Sequence, residues 1–184
     1  MPEFPAGPVD VEAWRLRLLE ALRHDGAGDA GDRREGPRAD ARTEVLAVET
    51  AGETYGLEIG AAAEILLMRP ITPVPRTPPF VLGIASLRGT VIPVLDLALR
   101  LGLTPGPGAR ANRIVVVRDG DERVGFRVDR VRGVVRVSPE PDQAGDYAQS
   151  VDPRFLQGIG YDREGSLVAL LSAGALCDFG VGTP

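Results

Sequence analysis

The sequence predicts an all-β protein, in which two similar β-barrels pack together and carry short helices. Two observations support this prediction. From Glu44 onward, short alternating or apolar runs are separated by turn residues, which is typical of a β-sandwich or of small barrels. The same set of runs then occurs a second time in order, which favours two barrels of similar build. The residues before Glu44 lack this pattern, so we expect them to lie outside the barrels.

Two pairs of runs predict β-hairpins, because each pair flanks a cluster of turn residues. Residues 44–50 and 54–60 flank Ala51-Gly52-Glu53, and residues 113–119 and 123–129 flank a turn at Gly120. Other runs predict single strands. These lie at residues 65–68, 81–87, 90–95, 131–137, 156–160 and 167–171.

The internal repeat is visible within the chain itself. "YGLEIGAAAEIL" from Tyr55 and "VGFRVDRVRGVV" from Val124 share a glycine at their second position and apolar residues at the same later offsets. The matched pairs are Gly56 and Gly125, Leu57 and Phe126, Ile59 and Val128, Ala62 and Val131, and Ile65 and Val134. The seam between two such units is a usual place for a binding groove.

A second match supports the same repeat. "PPFVLGI" and "PRFLQGI" align with each other farther along each half. The matched pairs are Pro78 and Pro153, Phe80 and Phe155, Gly83 and Gly158, and Ile84 and Ile159. We expect both Gly83 and Gly158 to allow close backbone approach or a positive φ, so alanine should destabilise the protein similarly at either position.

The N-terminal part divides into two segments. Residues 1–24 are predicted to carry one amphipathic helix over residues 9–24, which either packs on the chain's own barrels or docks on a partner. Its apolar residues are Val9, Trp14, Leu16, Leu18, Leu19 and Leu22. Residues 25–43 are rich in Gly, Ala, Asp and Arg and are predicted to form a flexible linker, because they bury too little apolar surface to offset the entropy of ordering.

Composition bounds the function. The chain has 184 residues with 43% hydrophobic content and a net charge of −5, and all of its 21 Lys and Arg residues are arginine. This charge does not favour non-specific binding to nucleic acid or membranes. The single cysteine, Cys177, excludes an internal disulfide and a cysteine-based zinc site. The N-terminus does not resemble a signal peptide and the chain has no apolar run that spans a bilayer, so we expect a cytoplasmic protein without membrane insertion.

Two other classes of function are disfavoured by particular residues. For an enzyme, the only histidine, His24, lies beside the predicted linker, and Cys177 and Asp96 lie in apolar runs where structural roles are expected. No phosphate-binding glycine loop is present, and the sequence implies no cofactor or metal. For a nucleic-acid binder, the segment from Arg110 to Arg136 holds eight arginines, but Phe126 is its only aromatic residue and thus offers too few stacking platforms.

Three separated motifs together resemble a known family. "PPFVLGIASLRGTVIPVLDL", "RVGFRVDRVRGVV" and "FLQGIGYDREGSLVALL", in this order, are similar to the CheW domain of bacterial chemosensory systems. The resemblance covers residues 44–179 and leaves residues 180–184 as a C-terminal tail. It implies two five-stranded β-barrels and a non-catalytic adaptor that couples a CheA-type histidine kinase to the cytoplasmic tip of methyl-accepting chemoreceptors. The alternative is a CheW-like adaptor of a non-flagellar chemosensory or motility pathway with other partners. The chain departs from the family pattern at Ser86 and Ser172, where the family usually has asparagine and aspartate.

The resemblance also implies a receptor-binding groove between the barrels. By motif, the residues expected there are Ala62, Glu64, Ile65, Ser86, Arg88 and Gly89. Arg88 and Gly89 separate two apolar runs, so we expect them to form the turn between two strands. We further expect Arg88 to order the receptor-facing end of the groove, with Asp96 as a candidate intramolecular partner.

Overall fold

The computed structural model describes residues 43–106, 112–120, 122–140 and 151–178. The predicted N-terminal helix, the linker up to residue 42 and the C-terminal tail therefore lie outside the described residues. The strands are β1 Thr43–Thr50, β2 Glu53–Glu58, β3 Ala62–Leu67, β4 Val81–Leu87, β5 Thr90–Asp96, β6 Arg113–Asp119, β7 Glu122–Val128, β8 Arg130–Glu140, β9 Leu156–Tyr161 and β10 Leu167–Leu171. Two short helices, α1 Leu97–Arg100 and α2 Ala173–Cys177, follow β5 and β10, and a 3-10 turn spans Pro153–Phe155.

The strands form two sheets of five strands each, which confirms the predicted architecture. The first is a closed barrel in the order β1-β2-β10-β9-β8, and the second has the order β3-β6-β7-β5-β4. Both predicted hairpins are present, since β1 pairs with β2 and β6 with β7 in antiparallel register. The predicted strands at 81–87, 113–119 and 167–171 have the observed bounds, and the others differ from the observed strands mainly at their ends.

The two sheets close differently. In the first, β8 pairs with β9 and completes the barrel. In the second, β3 and β4 do not pair as strands, and within the described residues the backbone after β3 joins β4 only through an isolated bridge between Thr72 and Ile84. Each of these two residues donates its N–H to the other's carbonyl, at 2.8 and 2.9 Å. We call this side of the second sheet, between β3 and β4, the β3–β4 seam.

The repeat is an equivalence of strands. β2 pairs in parallel with β10 and places Gly56 opposite Leu170, and β7 pairs in parallel with β5 and places Gly125 opposite Val94. A Cβ on Gly56 would lie 2.9 Å from a methyl carbon of Val45 on the neighbouring strand. On Gly125 it would lie 2.8 Å from a methyl carbon of Ile114. Both glycines are thus required for the same close approach inside their own barrels.

The apolar residues of each strand alternate between two cores. One set fills the inside of its own barrel, as Val45, Val137 and Val168 do in the first. The other set forms one continuous core between the two barrels. From the first barrel this core takes Leu46, Val48, Tyr55 and Leu57, and from the second Val115, Val117, Val124 and Phe126. The burial of both faces explains why these strands read as near-continuous apolar runs.

Each short helix begins at a polar residue that directly follows its strand's apolar residues. Asp96 accepts a hydrogen bond from the Leu99 N–H at 3.0 Å, and Ser172 accepts one from the Ala175 N–H at 3.3 Å. Both are N-caps, which satisfy backbone donors at the start of a helix. Ser172 therefore caps its helix in the same way as Asp96, although it departs from the family's aspartate.

Arg100 joins the two halves at the end of the interbarrel core where the helices lie. Its guanidinium lies 4.9 Å from the ring centres of both Phe80 and Phe155, which are equivalent in the repeat. It also donates hydrogen bonds to the carbonyls of Ala175, Leu176 and Asp178 at the end of α2. Burial lowers the pKa of this guanidinium from its usual value.

The expectation that Gly83 and Gly158 are equivalent in conformation is wrong. Gly83 has a φ of +141°, and a Cβ there would lie 2.1 Å from the Thr72 carbonyl oxygen. Gly158 has no positive φ, and a Cβ there would meet no atom within 4 Å. In the first barrel the close approach occurs two residues later, where a Cβ on Gly160 would lie 2.5 Å from the Ser138 carbonyl oxygen.

Candidate partner-binding groove

A groove of about 310 Å³ opens between the two barrels. It is lined by Leu46, Ile59, Ala62, Ala63, Glu64, Ile65 and Val134. Leu46 and Val134 belong to the first barrel, and the residues from Ala62 to Ile65 belong to the second, so both barrels contribute to its walls. The groove therefore lies at the seam where the repeat predicts a binding site.

The groove continues the interbarrel core into solvent. Leu46 pairs in register with Val134, and Val115 pairs in register with Ile65. Leu46 and Val115 are buried between the barrels. One strand farther out, Ile65 is 47% exposed and Val134 is 59% exposed. These two residues are also equivalent in the repeat, so the same strand position of each barrel provides an uncovered apolar side chain.

Exposed apolar side chains concentrate around this groove. Among the described residues, the large hydrophobic residues with high exposure are Ile59, Ile65, Leu67, Met68 and Val134. Three of them, Ile59, Ile65 and Val134, line the groove, whereas Leu67 and Met68 lie outside it. The exposed apolar surface that these three residues form in the groove is characteristic of sites that bind another protein or a ligand.

One wall of the groove carries an ion pair. The Arg88 guanidinium donates to a carboxylate oxygen of Glu64 at 2.8 Å, and the side chains are 81% and 27% exposed. Arg88 and Gly89 form the tight turn between β4 and β5, with φ values of 50° and 85°. The predicted turn is therefore confirmed, and Arg88 reaches from this turn across the β3–β4 seam. An exposed pair contributes little stability, so its main effect is on the shape and charge of the groove edge.

A second side chain crosses the same seam. Arg69, just after β3, donates a hydrogen bond to the carbonyl oxygen of Ser86 in β4. Of the predicted residues, Ala62, Glu64 and Ile65 line the groove. Ser86, Arg88 and Gly89 lie instead at the far side of the β3–β4 seam, and Arg88 is joined to the groove through Glu64.

The suggested pairing of Arg88 with Asp96 is wrong. Asp96 is buried, caps α1 and forms its ion pair with Arg127 on the neighbouring strand β7. A carboxylate that is already bound by a cap and an ion pair serves the fold, as the apolar context of Asp96 predicted. Sequence reasoning also missed Leu46, Ile59 and Val134. The pairing of Ile65 with Val134 in the repeat was the signal that could have identified Val134.

Three of the eight arginines in the predicted basic segment form ion pairs with acidic side chains. Arg127 pairs with Asp96, Arg136 with Glu44 at 2.8 Å, and Arg132 lies 3.6 Å from Glu49. These contacts offset part of the segment's positive charge within the molecule. Phe126 is buried in the interbarrel core and is not available to stack on a base.

The cysteine is buried at the C-terminal end of α2. Burial, followed by the nearby charges of Asp119 and Glu122, raises the pKa of the Cys177 thiol to about 12. The thiolate is therefore scarce near neutral pH, and the thiol behaves as a small apolar group. In the described part of the chain, no group of three or more His, Cys, Asp or Glu residues is placed to hold a metal ion.

Comparison with known proteins identifies the family. The CheW-like domain model matches residues 44–179. The chain belongs to the CheW-like domain family. It is 32% identical over 133 residues to a chemotaxis protein CheW of Rhizobium meliloti, with 70% of this chain and 83% of the relative aligned. It is 38% identical over 95 residues to a chemotaxis protein CheW of Thermotoga maritima, with 52% of this chain and 62% of that protein aligned.

A solved structure in the same family has the same fold. The scaffolding protein TtCheW from Thermoanaerobacter tengcongensis superposes with a TM-score of 0.63 at 28% sequence identity, which covers 72% of this chain and 90% of that protein. Both five-stranded units of the CheW-like fold are thus present. In the described residues, none of the helices has the length and apolar character needed to span a bilayer.

Proposed function

We propose that this CheW-like chain is a chemotaxis adaptor that couples a CheA-type histidine kinase to chemoreceptors. The observation that carries the proposal is the exposed apolar groove between the barrels, with Ile65 and Val134 on opposite walls. An amphipathic helix binds such a groove through a stripe of apolar residues. The cytoplasmic tip of a methyl-accepting receptor is helical and is the partner that the family resemblance implies.

The proposed adaptor acts by binding two partners at once. The receptor tip occupies the groove, and the kinase's regulatory domain binds an apolar surface of one barrel outside it. Coupling between two such sites is a free energy that each partner contributes by changing the other's affinity. This role needs no reacting group, which agrees with a Cys177 thiol that stays protonated at neutral pH. The adaptor acts in the cytoplasm, where receptor arrays recruit it to the membrane.

The groove is tested by titrating the purified chain with a soluble receptor fragment and, separately, with the kinase. Ile65→Asp places a charge on the apolar wall and should weaken receptor binding by at least about tenfold, since burying an unpaired carboxylate is costly. Kinase affinity should not change. Leu67→Asp is the matched control, because Leu67 is exposed on the same strand but does not line the groove.

Two results would contradict the proposal. The first is unchanged receptor affinity in a folded Ile65→Asp protein. The second is an equal loss of receptor binding in Leu67→Asp, which would place the contact on β3 outside the groove. A circular dichroism spectrum and a thermal melt of each variant establish that the fold is intact.

A further inference from the structure

The chain itself carries a segment with the chemistry that this groove accepts. Residues 9–24 are predicted to form an amphipathic helix, with Trp14, Leu18 and Leu22 at positions i, i+4 and i+8 on one face. A helix this short is marginal on its own in water and needs an apolar surface to stabilise it. Around the groove, Ile59, Ile65 and Val134 present such a surface.

The attachment point of this segment is close to the groove. The described chain begins at Thr43 in β1, and Leu46, three residues later in the same strand, lines the groove. Three residues of an extended strand span about 10 Å. A Gly-rich linker of about 20 residues, as predicted over 25–43, has a root-mean-square end-to-end distance of about 24 Å. The linker is therefore long enough for the segment to reach the groove and short enough to keep it nearby.

We propose that residues 9–24 dock in the groove of the same molecule and occupy it until a partner helix displaces them. The apolar face with Trp14 and Leu18 lies against Ile65 and Val134, and the arginines and glutamates of the other faces remain in water. The N-terminal segment is thus an intrachain competitor. The docking itself does not depend on the proposed adaptor function. Its effect on partner binding rests on that function.

Because the linker keeps the segment close to the groove, a weak intrinsic affinity is sufficient for the segment to occupy it. A short flexible linker gives an effective concentration of about 1 mM, so an intrinsic dissociation constant of about 0.1 mM leaves about nine in ten grooves occupied. A partner that needs the free groove then binds about tenfold more weakly than it would to an empty one. Disrupting the docked face of the segment should therefore strengthen partner binding by about tenfold. Because Ile65→Asp both releases the segment and alters the groove, its effect on receptor binding is measured against Leu18→Asp, in a chain that carries both substitutions.

Trp14 is the chain's only tryptophan, so its emission reports on this segment alone. In the full chain, we expect emission that is shifted to shorter wavelength and protected from acrylamide, relative to a synthetic peptide of residues 1–24. Ile65→Asp and Val134→Asp should each move emission and quenching to the values of the peptide, and the control Leu67→Asp should leave both unchanged. Circular dichroism melts verify that each variant is folded.

Three results would overturn the proposal. They are wild-type emission and quenching equal to those of the peptide, no change in folded Ile65→Asp and Val134→Asp, and protection that disappears on dilution. The last would mean that the segment docks on a second copy of the chain.

Leu18→Asp in the full chain gives a separate test of competition. It should expose Trp14 and tighten binding of the receptor fragment about tenfold. Exposure of Trp14 without any binding of the receptor fragment would refute the adaptor function and leave the docking established. Exposure with unchanged receptor affinity would refute competition for the groove.

Discussion

Gly83→Ala should destabilise the protein strongly, because this glycine lies where the chain after β3 crosses β4. A Cβ at this position would lie 2.1 Å from the carbonyl oxygen of Thr72 and 2.7 Å from its carbonyl carbon. Both atoms belong to the backbone, so no side-chain rotation relieves the overlap. The chain at Thr72 must move away, and the bridge to Ile84 must break with it.

The magnitude follows from two terms. The bridge contains two backbone hydrogen bonds, between Thr72 and Ile84 in both directions. Each contributes about 1 kcal/mol net. The φ of +141° at Gly83 is a conformation that alanine adopts only under strain, which adds about 2 kcal/mol. Together these terms predict a loss of about 4 kcal/mol, which is a large part of the stability of a typical domain.

The measurement is urea unfolding followed by far-ultraviolet circular dichroism, with Gly158→Ala as the control. Gly158 is the repeat equivalent of Gly83, but it has open space around it, so its substitution should change the free energy of unfolding by less than about 0.5 kcal/mol. A loss below about 1 kcal/mol in Gly83→Ala would refute the reasoning. Equal losses of unfolding free energy in the two variants would also refute it, since Gly83 and Gly158 would then be equivalent, as the repeat in the sequence predicts.

Three further predictions concern single side chains. Arg88→Ala should change stability by less than about 0.5 kcal/mol, because its ion pair is exposed, but it should abolish most receptor-dependent activation in a kinase autophosphorylation assay while kinase affinity is retained. Full kinase activation by a folded Arg88→Ala protein would mean that Arg88 is only a solvated turn residue. Arg100→Met should cost about 3 kcal/mol in urea unfolding, because buried carbonyls at the end of α2 lose their donor. Folding raises the pKa of the Cys177 thiol from 9.0 to about 12, so the folded protein keeps a proton that the unfolded chain loses above about pH 9. The contribution of this thiol to the free energy of unfolding is therefore complete below about pH 9 and falls above it by up to about 1.4 kcal/mol per pH unit. Cys177→Ala should reduce this slope.

Much of the fold could be predicted from the sequence because local signals and the repeat agree. Turn residues located the hairpins at Ala51-Gly52 and Gly120, and the shared glycines Gly56 and Gly125 identified equivalent strands. The asymmetry at Gly83 and Gly158 could not be predicted, since both lie in motifs that match at the surrounding Pro, Phe and Ile positions. The difference depends on which strands close each barrel, and that pairing involves residues distant in sequence, such as Thr72.

The candidate site was predicted in part for a related reason. Motif position identified Ala62, Glu64 and Ile65, which do line one wall. The opposite wall comes from β1 and β8, whose residues Leu46 and Val134 are far away in sequence. Asp96 was a plausible partner for Arg88 only because the two are close in sequence. In a β-hairpin, the pairing register decides which side chains meet, not their separation in sequence. Asp96 is buried at the end of β5, away from the turn that holds Arg88.

The repeat also explains why the groove is apolar on both sides but charged on one. In each barrel, one residue, Val115 or Leu46, is buried between the barrels. The residue that pairs with it on the next strand, Ile65 or Val134, lies beyond the edge of the interface between the barrels. The residue before Ile65 is Glu64, which holds Arg88, whereas the residue before Val134 is Gly133, which has no side chain. This ion pair therefore lies directly beside the apolar residue of the second barrel's wall, whereas in the first barrel the ion pairs of Arg132 and Arg136 lie two residues to either side of Val134. A helix that binds between two similar apolar walls gains a preferred direction from this difference in the position of charge, because the charges along the helix meet it in one orientation and miss it in the other.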